Sequence, residues 1–135
     1  MSWIEQFRED GYTIVRGLIE LDVRAAVVEE CTALVDLLAE RLVSDGKAPS
    51  TFADEPFDTR MIRLYEGRAD ETPTIFRPEL HRADFFGLFG HPGLLDLAEA
   101  VLGPEVRLYP NYSARPKLPE NDRTLVLWHQ DAGYT

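Results

Sequence analysis

Between Asp22 and Val43, Val27, Cys31, Leu34, Val35, Leu38 and Leu42 recur at three- to four-residue spacing. Residues so spaced line one side of an α-helix, so this stretch is predicted helical and must bury that side against other parts of the chain. Ser44-Asp45-Gly46 closes it. Glu29, Glu30, Asp36, Glu40 and Arg41 fall mainly off the apolar side and read as a solvated surface. Cys31, the single cysteine, lies among Val28, Leu34 and Val35 and reads as a small apolar filler rather than a reactive thiol.

The surroundings of that helix are bounded by size and charge. With 135 residues the chain has room for one domain, taken as residues 1–135. Its 44% hydrophobic and 28% charged residues exclude collagen-like, low-complexity and wholly disordered classes. A net charge of -10, from 14 Lys and Arg against 24 Asp and Glu, repels a phosphate backbone, so nucleic acid is excluded as a partner. No apolar run is read as long enough to span a bilayer, and Met1-Ser2-Trp3-Ile4-Glu5 lacks the basic start of a signal peptide. The expectation is a cytoplasmic chain with no membrane partner.

Around the long helix the pattern alternates. Ser2 with Glu5 three residues later predicts a capped short helix over Trp3–Phe7, ended by Asp10-Gly11. Tyr12–Val15, Arg60–Tyr65, Val106–Ser113 and Thr124–Gln130 have strand composition. Residues 47–58 read as a loop, and Thr72-Pro73 as a further loop exit. Leu80–Phe89 reads as helical. Phe85, Phe86 and Phe89, like Phe52, Phe57 and Tyr65, could line a pocket, with ordinary core as the favoured reading. Pro92 opens a helix with Leu94, Leu97, Ala98, Val101 and Leu102 on its apolar side, and Gly103-Pro104 stops it.

The chemistry sits at the far end. In a strand, His129 and Asp131 leave the same face, beside Leu127 and Leu125. An imidazole and a carboxylate placed so are two neighbouring positions of the two-His, one-carboxylate shell of non-haem iron(II) enzymes, whose three remaining positions admit a chelating cosubstrate and O2. Taken bare, His-x-Asp is more often a hydrogen-bonded surface feature than a metal site.

Longer strings strengthen the metal reading. Phe7-Arg8-Glu9-Asp10-Gly11-Tyr12-Thr13-Ile14-Val15-Arg16-Gly17-Leu18, the segment from His91 to Pro104, and Lys117-Leu118-Pro119 followed by Trp128-His129-Gln130-Asp131-Ala132-Gly133-Tyr134 together resemble the phytanoyl-CoA dioxygenase-like iron(II)/2-oxoglutarate oxygenases. The resemblance covers most of the chain, and its last string is the most specific. It implies an α+β fold in which N-terminal helices pack on the first strands of a double-stranded β-helix, a jelly roll or cupin-like barrel. It implies His129 and Asp131 as iron ligands, Fe(II) as the metal, and 2-oxoglutarate and O2 as cosubstrates. Since related halogenases replace this carboxylate with a small residue, Asp131 implies hydroxylation of a small-molecule C–H bond.

The resemblance also places a second histidine ligand and a 2-oxoglutarate-binding arginine downstream of the motif. The chain is therefore expected to be the front part of a truncated barrel, inactive or nearly so by itself. His81 and His91 are not expected to substitute, His91 reading as a helix cap or surface residue and His81 as solvent-facing or salt-bridged. Arg63 and Lys117 are candidates to meet the cosubstrate carboxylate, with a surface role as the competing reading for each. Two other outcomes stay open: a catalytically incompetent binding module that self-associates through exposed strand edges, and a cupin-like protein holding zinc or nickel without oxygenase activity.

Overall fold

Ser2 begins the first helix with the reciprocal pair the sequence announces. Its side chain accepts from the Glu5 backbone N–H at 3.4 Å, and the Glu5 carboxylate accepts from the Ser2 N–H at 2.7 Å. The helix, α1, runs Trp3–Asp10 and stops at Gly11, whose φ of 76° is the left-handed cap conformation that glycine adopts without strain. These details come from a computed structural model that describes residues 2–109 and 112–130.

The predicted long helix is present as α2, Leu21–Ser44. It is followed by α3 (Phe57–Leu64), α4 (Ala83–Phe89) and α5 (Pro92–Leu102), with short 3-10 turns at Ala69–Glu71, Pro78–Leu80 and Asp122–Thr124. The α+β jelly roll is not: the chain is 53% helical, with 2% strand and no sheet among the described residues. Phe76 and Ala114 form a single antiparallel bridge, exchanging N–H···O contacts of 2.8 and 3.1 Å. Tyr12–Val15 and the described parts of 106–113 and 124–130 join no ladder.

Arg60–Tyr65 departs furthest from expectation, since most of it belongs to α3. Its β-branched and aromatic content has strand character, but Arg60, Met61, Leu64 and Tyr65 are the buried positions, at the offsets of a helical face rather than a strand's alternation. Tertiary burial outweighs the weak intrinsic preference. The segment 83–102 forms the two helices read from the sequence, but, against the expectation of no run long enough to span a bilayer, it contains an 18-residue window of mean hydropathy 1.2, enough for a membrane span by length and composition. It is divided at Gly90–His91 into α4 and α5 and carries Asp84, Asp96 and Glu99.

Two compact units result, Met1–Leu34 with Glu79–Tyr112 and Val35–Pro78 with Ser113–Thr135. In the first, Phe85 and Leu80 are buried, Phe89 packs on Tyr112 at 4.5 Å between ring centroids, and Arg82 pairs with Glu30 at 2.6 Å. His91 caps α5: Nδ1 accepts from the Gly93 N–H at 3.1 Å, and Nε2 lies 2.7 Å from the Glu20 carboxylate. A Cβ at Gly93 would come within 2.9 Å of the Leu18 side-chain tip, so a larger residue there requires that tip to move.

The second unit centres on Val35, Ala39, Leu42, Ala48, Met61, Leu64 and Tyr65, with Leu38, Phe52 and Leu118 packed against them. Each fully buried large aliphatic side chain contributes about 1.5–3 kcal/mol. Arg60 enters this core with its guanidinium held by Asp36 at 2.6 Å and by the Thr51 carbonyl at 3.0 Å. A buried charge is tolerable only when so partnered.

Candidate functional site

The segment bearing His129 leaves from a tightly bonded turn. Asn121 and Thr124 are both buried in the second unit. The Asn121 side chain donates to the Ala69 carbonyl at 3.1 Å and accepts from the Arg123 N–H at 3.1 Å. The Thr124 hydroxyl donates to the Asn121 carbonyl at 2.9 Å and accepts from the Leu118 N–H at 3.3 Å. Lys117 Nζ donates to the Thr124 carbonyl. Residues 117–124 are thus closed on themselves and fastened to the 3-10 turn at Ala69–Glu71.

Beyond this turn, Leu125, Val126, Leu127 and Trp128 are exposed, Trp128 completely at 104%. His129 Nδ1 lies 2.7 Å from the Leu127 carbonyl. A carbonyl only accepts, so Nδ1 carries the hydrogen of this contact. A backbone oxygen holding one ring nitrogen is a common partner of metal-binding histidines. The ring is oriented by its own chain, not by a β-ladder. Asp131 lies outside the described residues. Among the described residues no group of three His, Cys, Asp or Glu side chains could hold a metal ion, so they hold one of the two expected ligands and do not by themselves make an iron site.

Arg63 and Lys117 already have partners. Arg63 bonds Glu66 at 2.7 Å, lies 3.5 Å from Glu55 and rests over the Phe52 ring at 5.5 Å. Lys117 closes the turn. His81 packs edge-on to Tyr112 at 5.9 Å, and His91 is the α5 cap, as the sequence allowed. Cys31 is half-buried, and burial, then the nearby Glu30 carboxylate, pushes its thiol up, away from reactivity.

Each unit has a cavity lined by described residues. One, of about 410 Å³ in the first unit, is bordered by His81, Arg82, Ala83, Phe86 and Tyr112. Of the phenylalanines weighed as core or pocket, Phe85 is core and Phe86 faces this opening. The other, of about 280 Å³ in the second unit, lies between residues 62–72 and the 118–121 turn. Its lining includes Thr72, which is 1% exposed and whose hydroxyl has no hydrogen-bond partner. Nothing in the sequence marked Thr72, because a threonine before a proline reads only as a loop exit. Asn121 was equally silent.

No family model, curated protein or solved structure matches the chain.

Proposed function

We propose that the chain carries the metal-binding segment of an iron(II)/2-oxoglutarate-dependent oxygenase that hydroxylates a C–H bond of a small molecule. The observation that supports this reading is the string Trp128-His129-Gln130-Asp131-Ala132-Gly133-Tyr134, preceded by Lys117-Leu118-Pro119. The backbone carbonyl that holds His129 Nδ1 is consistent with it, since metal-binding histidines are commonly held so through one ring nitrogen. In this reading His129 and Asp131 hold Fe(II), which supplies the oxygen chemistry when bound. The chain's task is to orient the imidazole and carboxylate. Arg63 and Lys117 meet a cosubstrate carboxylate only by giving up Glu55, Glu66 and the Thr124 carbonyl.

The test is anaerobic calorimetric titration with Fe(II) of the native chain, His129→Ala and Asp131→Ala, each with its far-UV circular dichroism recorded. The reading expects Fe(II) binding that both substitutions remove while helicity stays. Equal binding by all three chains removes the metal assignment.

A second reading draws on the exposure of Leu125, Val126, Leu127 and Trp128: a non-catalytic module that pairs with a second copy through this apolar run. Sedimentation distinguishes it, since Leu127→Asp then converts a dimer to a monomer without altering Fe(II) binding.

A further inference from the structure

We propose that His91 makes the start of α5 a pH-sensitive latch: a second proton on its ring drives the imidazole off the Gly93 N–H and frees the first turn of the helix, while the ring keeps its bond to Glu20. The first turn has few ways of satisfying its donors. Pro92, at the first helical position, has no N–H. Leu94 and Leu95 both donate to the His91 carbonyl, at 2.9 and 3.0 Å. Gly93 is left to a side chain, and it donates to His91 Nδ1 at 3.1 Å.

This bond defines the protonation state of the ring. An N–H donates only to a lone pair, so Nδ1 is unprotonated, the ring is neutral and its one hydrogen sits on Nε2, 2.7 Å from the Glu20 carboxylate. In an imidazolium both nitrogens are donors. The Nδ1 hydrogen then faces the Gly93 N–H, and a cation stands at the positive end of the α5 dipole. Both effects push the ring away from the cap. Glu20 opposes them by pairing with the imidazolium, but its side chain is 63% exposed and solvent screens the pair. Among the described residues Glu20 is the one ionisable group bonded to the ring. The acids of α5 itself, Asp96 and Glu99, lie past its first turn.

The ring has little room to adjust in place. Its side chain is 12% exposed, and a Cβ at Gly93 would meet its Nδ1 and Cε1 at 3.3 Å and the Leu18 tip at 2.9 Å. The donor–donor contact is therefore relieved by displacement of the Gly93 turn, which also loosens the packing of Leu18 on it. Histidine is the side chain that changes charge between about pH 5 and 8, so the latch works in mild acid, without general unfolding.

The test is NMR of the full chain across that range, reading the imidazole nitrogens by long-range proton–nitrogen correlation and the amides by hydrogen exchange normalised to the intrinsic rate at each pH. At the alkaline end the His91 hydrogen is expected on Nε2. As the ring titrates, the Gly93 amide resonance should move with the same midpoint, and its protection should fall about fivefold, the size of an N-cap contribution. His91→Asn keeps a capping acceptor that does not titrate and should abolish the step. Glu20→Gln keeps an acceptor without the charge and should move the step to lower pH. The pH series on the native chain needs no variant, and circular dichroism establishes that both variants fold. The proposal is overturned if the neutral ring carries its hydrogen on Nδ1, if Gly93 does not respond at the His91 midpoint, or if folded His91→Asn shows the same step.

Discussion

The Arg60 guanidinium, 5% exposed, is held 2.6 Å from the Asp36 carboxylate, which is 50% exposed. One charge lies inside the second unit and its partner stands at the boundary with water. The two halves of this pair are therefore not equivalent. Asp36→Ala leaves a buried cation with only the Thr51 carbonyl and should cost about 1–3 kcal/mol, below the full penalty of a wholly buried pair because water reaches the site. Arg60→Met removes the charge, keeps much of the volume and should cost less. Urea denaturation of both variants checks the order, and the reverse order contradicts this account.

Thr72 gives a prediction of opposite sign. A buried hydroxyl without a partner costs about 1–3 kcal/mol, so Thr72→Val should stabilise the protein by about 1 kcal/mol. The same urea series measures it. A destabilised Thr72→Val would show that the hydroxyl is satisfied in solution.

The 117–124 turn should behave as one unit. Thr124→Ala removes both the donor to Asn121 and the acceptor for Leu118, at an expected cost of about 1–3 kcal/mol. Thr124→Val keeps the volume and should lose nearly as much, since bonds rather than packing are at stake. Hydrogen exchange should quicken at Leu118, Arg123 and Thr124 in both variants.

Acid should loosen the link between Lys47 and Glu71. The hydrogen bond from Lys47, reinforced by attraction to Lys47 and Arg68, holds the Glu71 carboxyl below its ordinary value of 4.5. A carboxyl whose folded pKa is depressed contributes stability that is fully present above the unfolded value and lost as the pH falls through the folded one. Lys47→Met should therefore flatten the decline of melting temperature below pH 4.5. The flattening should come from a small loss of melting temperature at neutral pH, small because the pair is exposed, with the two curves converging in acid.

The helices were legible where local rules suffice. The Ser2–Glu5 box, the period of α2 and the proline start of α5 are statements about neighbours three or four residues apart. Arg60–Tyr65 was misread because its composition favours a strand while its burial obeys a helix, and burial depends on residues far along the chain. The barrel was expected from resemblance and from extended-looking runs such as Tyr12–Val15, yet a strand exists only with a partner. His129 and Lys117 could be singled out by type and spacing. Thr72 and Asn121 could not, since what distinguishes them is a missing bond and a contact with Ala69.

The full exposure of Trp128 gives the protein a built-in optical reporter. An indole bathed in solvent emits toward the red and is readily quenched by small solutes. Any molecule that settles over residues 125–128 should turn that emission blue and shield it from the quencher.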